Sequence, residues 1–373
     1  MQQHERLRYG KPICRDSINE NLNQGSIMNK FASALAVSAA MIFVQTSASQ
    51  AEERTSTLQT VKDRGSVSCV IGNSFPGFYS LNKEGEWQGM DIDMCRGVAA
   101  AVFGDAGKVN FLPVQWAQSF TTIKSGKGDI LSKGMTWTLS RDVSQGLDFL
   151  DTYFYDGQGF MVRKDLGVTS VKELKGATVC VLTGTSSELN LADYSRTHAL
   201  DLKTVVFDDS AVRNTAFFND NCDALTNDKS GLAAQRSAAP NPADYVVLPE
   251  TISKEALSFA VKQNDSEWAN VVKWTFQAMV AAEEYGITSE NVDDMRANSE
   301  SPIIRRILGV EGDLHVGLGL PQDWAYQVIK NVGNYGEIYE RNVGPDSILG
   351  LDREGTLNAL WQDGGLMYAK SFR

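Results

Sequence analysis

The sequence predicts an α/β protein built as two lobes around a cleft. Some 320 residues follow an N-terminal leader, more than one comfortable hydrophobic core accommodates. Short β-like runs alternate with apolar-faced helical segments, the signature of βαβ units. That alternation stops at an extended stretch, restarts near residue 178, and is followed by a second extended stretch, so the chain is expected to cross between lobes twice.

The first lobe opens with a β-like run at 66–71, followed by a helix at 91–103 with one apolar face. A strand at 109–114, a short helix at 120–124 and a strand at 129–132 complete this alternation. In the second unit, Lys172-Glu173-Leu174-Lys175-Gly176 precedes a strand at 178–182, and Gly184-Thr185-Ser186-Ser187-Glu188 precedes a helix at about 188–196. A strand at 202–207, a helix at 210–218 and a strand at 222–226 follow. The segments 153–162 and 246–261 read as the crossings. Beyond Asn264, residues Trp268, Val271, Val272, Phe276, Met279 and Val280 share a 3.6-period face that should pack back on the first lobe. The expected division is therefore a leader at 1–51, lobe 1 at 52–155, lobe 2 at 156–255, and a second part of lobe 1 at 256–373 ending in a helical extension.

Met28-Asn29-Lys30, an apolar run at 31–44 and small residues up to Ser49-Gln50-Ala51 form a secretory signal peptide, too short to span a membrane. Residues 1–27 are polar and precede it, so Met28 is read as the translated start; an N-terminal extension before a membrane anchor is the alternative. No later apolar stretch approaches 18 residues, and export with cleavage places the mature chain in the periplasm. Neither a G-x-x-x-x-G-K-[ST] loop nor a strand-linked G-x-G-x-x-G occurs, so no nucleotide cofactor is expected. The net charge is −11, and such an acidic chain is a poor partner for nucleic acid.

Five cysteines become four when Cys14 leaves with the leader, which in an oxidising compartment suggests two disulfides with three possible connectivities. Cys69 with Cys95 and Cys180 with Cys222 is the preferred pairing, because each bond then lies inside one lobe. Zinc is disfavoured, since no C-x-x-C occurs and histidine is nearly absent; no metal is expected.

The most informative segment is Gly134-Met135-Thr136-Trp137-Thr138-Leu139-Ser140-Arg141-Asp142, which follows the strand at 129–132. A glycine permits close backbone approach, threonine hydroxyls donate hydrogen bonds, and Arg141 presents a planar fork that matches a carboxylate. Carboxyl ends of strands are where open α/β sheets bind ligands.

Together with Gly89-Met90-Asp91-Ile92-Asp93, Gly184-Thr185-Ser186 and Cys222-Asp223-Ala224-Leu225-Thr226-Asn227-Asp228, that segment resembles family 3 of the extracytoplasmic solute-binding proteins, the polar amino acid receptors of ABC importers. The tail, through Gly333-Asn334-Tyr335-Gly336-Glu337, Glu340-Arg341-Asn342-Val343-Gly344 and Gly365-Leu366-Met367-Tyr368-Ala369, resembles the longer subgroup of general L-amino-acid-binding proteins. The resemblance implies a type II periplasmic-binding-protein fold, a monomer, an L-amino acid ligand in the interlobe cleft and a membrane permease as partner.

A zwitterion needs both of its charges paired when buried. Arg141 and the Thr136 hydroxyl suit the carboxylate, as do the backbone amides of Thr185 and Ser186 at a helix N-terminus. Asp228 suits the ammonium, and Gly134 belongs to the same pocket. The resemblance puts Phe75 and Trp116 at apolar wall positions; Trp137 is expected to point away. Asp91 and Asp93 read as supports for the helix that follows, and Thr185 is also a candidate N-cap. The loop 72–77 departs from narrower family members, so side-chain preference stays open, with a broad range favoured by the tail. The alternative is an exported enzyme on the same fold, such as a cyclohexadienyl dehydratase. It would need a placed acid or base, and His198 and His315 both lie away from the constellation.

Overall fold

A computed structural model describes residues 56–373; the leader, the start position and Cys14 lie outside these residues. Helix α1 (Thr57–Arg64) is capped by Ser56 and stops at Gly65. It leads into β1 (Val67–Ile71), buried along its whole length as a central parallel strand must be. A hairpin of β2 (Ser80–Leu81) and β3 (Trp87–Gln88) precedes α2 (Met90–Phe103). Then come β4 (Val109–Pro113), α3 (Ser119–Lys124), β5 (Ile130–Leu131), α4 (Leu139–Ser144) and the long β6 (Leu147–Asp156).

The chain turns at Gly157 into lobe 2, made of β7 (Gln158–Arg163), β8 (Thr178–Leu182), α5 (Ser186–Thr197), β9 (Lys203–Phe207), α6 (Ser210–Phe218), β10 (Ala224–Asp228), α7 (Lys229–Ser237) and β11 (Tyr245–Val247). It returns through β12 (Glu255–Lys262) to α8 (Ser266–Glu284), then α9 (Val292–Asn298), α10 (Pro302–Ile307), α11 (Trp324–Val332) and α12 (Tyr335–Asn342).

The two five-stranded sheets run β4-β1-β5-β12-β6 and β11-β7-β10-β8-β9. In each, the parallel strands sit on one side (β1 with β4 and β5; β8 with β9 and β10) and antiparallel strands complete the other. The stretches read as extended crossings are thus real strands, β6 into β7 and β11 into β12, and each belongs to a sheet.

Two elements start two residues away from the sequence reading, for local reasons. Helix α5 starts at Ser186, two residues early, because Thr185 Oγ1 accepts the Glu188 amide and caps it. Strand β10 spans Ala224–Asp228 rather than 222–226, because the Asp223 carboxylate is engaged by the Thr178 amide and hydroxyl just before it. This shift makes Asp228 the last strand residue, at the cleft.

Cys69–Cys95 joins β1 to α2, and Cys180–Cys222 joins β8 to the approach of β10, so each disulfide staples one lobe. Helix α8 buries the predicted stripe Trp268, Val271, Val272, Phe276, Met279 and Val280 in the lobe 1 core. At the α2–α8 contact the Met279 methyl packs on Gly97, where a Cβ would fall 2.1 Å from it and make the methionine shift. The tail packs into this same core through Trp324, Leu360, Met367 and Phe372.

Candidate functional site

The carboxyl ends of the parallel strands of both sheets border a cavity of about 240 Å³. From lobe 1 its wall takes Phe75, Trp116, Lys133, Gly134 and Thr136; from lobe 2 it takes Thr185, Ser186, Arg213, Asn227 and Asp228. The lobes touch across it. Trp116 Nε1 donates to Gly184 O at 3.0 Å, and Gln115 Nε2 donates to Asp209 Oδ2 at 3.1 Å.

Gly134 has φ of +57°, which a side chain disfavours, and its amide donates to Asp91 Oδ2 (3.1 Å) and the Tyr153 hydroxyl (3.0 Å). Asp91 also accepts the Ser132 and Tyr153 hydroxyls at 2.6 and 2.5 Å, so it holds the loop from behind. Burial pushes its carboxyl up to about 7, against those three hydrogen bonds. Asp93 pairs with Arg96, Arg341 and Asn342. Neither aspartate lines the cavity, in keeping with a supporting role.

Arg141 is 7 % exposed in α4, its amide capped by Thr138 Oγ1. Nη1 donates to Thr136 O at 2.9 Å and the guanidinium lies 5.4 Å from the Trp116 ring centre, so Arg141 stands behind the wall formed by those two residues. Among the described residues it has no carboxylate within 4 Å; burial lowers its pKa, while Glu255 and Asp228 oppose that from farther off. Asp228 is equally secluded, 8 % exposed, and its carboxylate accepts no hydrogen bond from the described residues. Burial, Asp156 and Glu255 push its pKa well above the carboxylate range, with Arg141 and Arg213 pulling the other way.

The Thr136 hydroxyl, expected to serve the ligand carboxylate, and the Ser186 hydroxyl both donate to Glu255 Oε2, at 2.5 and 2.9 Å. Asn190 and Ser253 donate to Oε1. Glu255 is 1 % exposed, and a buried carboxylate draws in the donors it needs. It lies at the return crossing and joins Thr136 of lobe 1 to Ser186 and Asn190 of lobe 2. The Thr185 hydroxyl is likewise engaged, donating to Leu182 O while capping α5.

Phe75 lies between the lobes: a Cβ at Gly134 on one side or Gly231 on the other would stand 3.3 Å from its ring. It stacks on Phe78 at 4.5 Å. Trp137 points away and stacks on Phe149, as expected.

Sequence reasoning missed Glu255, Lys133 and Arg213. Lys133 Nζ donates to Val114 O (2.7 Å) and Ser119 Oγ (3.1 Å) and lies 5.5 Å from the Trp116 ring; burial lowers its pKa to about 7. A lysine beside Gly134 was a signal available to read. Arg213 sits on a helix for which the sequence marks no buried polar position, and Glu255 is brought to Thr136 only by folding.

Residues 67–291 match the sequence profile of the bacterial extracellular solute-binding proteins, family 3. The chain belongs to this family. It is 48% identical over 347 residues, 92% of this chain and 99% of the relative, to the general L-amino acid-binding periplasmic protein AapJ of Rhizobium johnstonii. It is 47% identical over 318 residues, 85% of this chain and 94% of the relative, to the glutamate/glutamine/aspartate/asparagine-binding protein BztA of Rhodobacter capsulatus. Among solved structures, an ABC transporter / periplasmic binding protein from Brucella ovis with glutathione bound aligns with a TM-score of 0.83 at 47% identity, over 86% of this chain and all of that one. This family 3 member is therefore a periplasmic solute-binding protein with the two-lobed fold of its class, and a binding protein rather than an enzyme.

Proposed function

We propose that this protein captures L-amino acids of several kinds in the interlobe cleft and delivers them to the membrane permease of an ABC importer, acting as a monomer without a cofactor or metal. The carrying observation is one juxtaposition among the described residues: a buried arginine lacking an ion pair, Arg141, stands behind the Thr136–Trp116 wall of the cavity, and a buried aspartate lacking a hydrogen-bond donor, Asp228, lines it from the opposite lobe. A zwitterion answers both needs. Its carboxylate goes to Arg141 and the amides of the α5 N-terminus at Thr185 and Ser186, beside Gly134 and Thr136, whose own donors are engaged by Asp91, Tyr153 and Glu255; its ammonium goes to Asp228.

These anchors grip groups that every amino acid carries, which supports a broad range. Phe75 and Trp116 supply apolar walls for the side chain. The names of the Rhizobium and Rhodobacter relatives, covering amino acids in general and four acidic and amide ones, fit this reading. Because the two charges lie on different lobes, ligand binding favours the closed arrangement, the form a permease would distinguish.

Thermal unfolding with each of the twenty L-amino acids tests the reading. A ligand at 100 times its Kd adds about 2.7 kcal/mol. Several chemically different L-amino acids should raise the melting temperature and their D-isomers should do so weakly. Response to a single amino acid refutes the breadth; response to none refutes the amino-acid reading.

A further inference from the structure

Arg213 is 2 % exposed on the wall of the ligand cavity. It occupies the first turn of α6, where the helix dipole disfavours a cation, so local helix stability does not account for it. Its Nε and Nη2 donate to a single oxygen, Asn214 Oδ1, at 3.1 and 2.9 Å, and Nη1 has no acceptor among the described residues. No carboxylate lies within 4 Å of it there; Asp228 and Asp209 act on it only from farther away. Burial lowers its pKa to about 10, which leaves it charged at neutral pH. A buried arginine that keeps its charge without an ion pair calls for an anionic partner.

Asn214 sharpens the chemistry. With its Oδ1 taken twice by Arg213, the group it has left is the Nδ2 donor, and Asn214 also lines the cavity. The pair therefore presents donors only. Its place is distinct from that of Arg141: Arg141 feels Glu255 at the crossing, whereas Arg213 feels Tyr79 and Asp209, the latter bonded to Gln115 at the lobe contact. Asp228 lies within reach of both arginines. With the ammonium at Asp228 and the carboxylate on the Arg141 side, the cavity wall at Arg213 and Asn214 is left for the ligand's side chain.

We propose that Arg213 and Asn214 form a second anion subsite, which takes a carboxylate at the far end of the ligand's side chain and tunes the receptor toward acidic amino acids. This rests on the amino-acid reading above. The competing role for Arg213 is simple compensation of Asp228, which every ligand would feel alike.

Titration calorimetry at pH 7 with L-glutamate and L-glutamine, which differ in that distal group, separates the two. The wild type should bind glutamate the more tightly. Arg213→Gln should weaken glutamate by about 10- to 100-fold while leaving glutamine within about threefold. Arg213→Lys, which restores the charge without the fork, should recover part of the glutamate preference. Equal losses for both ligands in Arg213→Gln, or a wild type without preference for glutamate, overturn the subsite. A wild type that binds neither ligand nor any other amino acid overturns the amino-acid reading instead. Unfolding of the ligand-free variants checks that they fold.

Discussion

Arg141→Met separates a ligand anchor from a structural residue, because an anchor loses affinity at nearly unchanged ligand-free stability and a structural residue loses stability. Without ligand, Arg141 makes one side-chain hydrogen bond, to Thr136 O, and a cation–π contact with Trp116. It has no ion pair within 4 Å among the described residues. Methionine of similar length loses about 1 kcal/mol for the hydrogen bond and about 0.5 to 1 kcal/mol for the ring contact. It also relieves the desolvation of a buried cation, a cost of several kcal/mol before compensation by Asp228 and Glu255. These contributions nearly cancel, so the ligand-free variant should melt close to the wild type. The bound state is different, since a buried ligand carboxylate would face Trp116 and Thr136 with its main cation gone, a loss of about 3 to 5 kcal/mol. Calorimetric Kd values for all ligands should then rise by about 150- to 5,000-fold. Wild-type affinity in a folded Arg141→Met protein would refute the assignment and move the carboxylate to Lys133 or Arg213. A large fall in ligand-free stability would make Arg141 a structural residue.

The same logic extends to three other positions. Asp228→Asn keeps shape but removes the charge that compensates the ammonium, and should weaken every ligand by about 3 to 5 kcal/mol; equal contraction with ligand in small-angle scattering and binding within about threefold would make Asp228 a turn residue. Trp116→Ala removes a wall and the Nε1–Gly184 O bridge between lobes, so it should reorder side-chain preferences, whereas an unchanged ranking in a thermal-shift panel counts against a wall role. Lys133, whose pKa falls from 10.5 to about 7 on folding, gives the protein a pH signature: between those values the unfolded chain holds the proton and the native one has released it, so stability rises with pH there, by at most about 1.4 kcal/mol per unit. Below about 7 both states bind the proton and the contribution is flat. Lys133→Met should abolish that rise in urea titrations run across the window, and a wild type whose stability stays level there would refute a depressed lysine.

What was legible in the sequence were features written locally or constrained by counting. The restart of the α/β alternation, the disulfide pairing within lobes, the apolar stripe of α8 and the Gly134–Arg141 segment all depend on short-range patterns. The electrostatic partners of the site were not legible, because they meet only in the fold. Glu255 is 119 residues from Thr136 and 69 from Ser186, yet it takes the hydroxyls of both. Arg213, on α6, has nothing in its neighbours' spacing to mark it as buried, and Lys133, in the loop after β5, has only its place beside Gly134. A residue type that is almost never fully buried reads as surface until a structure says otherwise.

The C-terminal tail shows the same limit, since its role is defined by contacts with segments far upstream. The Tyr335 hydroxyl donates to Tyr153 O, and the Tyr153 hydroxyl in turn bonds Asp91 and receives the Gly134 amide. Arg341 and Asn342 grip Asp93 near the start of α2. Leu349 fills the space beside Gly77, where a Cβ would come within 2.7 Å of its methyl, and so backs the loop that carries Phe75. Asn358 donates to and accepts from the backbone of Tyr155, satisfying the outer side of edge strand β6 just before it crosses into lobe 2. Apart from the Asp93 contacts, which end in the first turn of α2, these contacts end within a few residues of the ligand loop or the first crossing, and Tyr153 carries them on to the Gly134 turn. The extension past the family-matched region is therefore the rear support of the lobe 1 half of the site. A truncation before Tyr335 would leave Tyr153, Asp93 and the β6 edge without the partners that hold them.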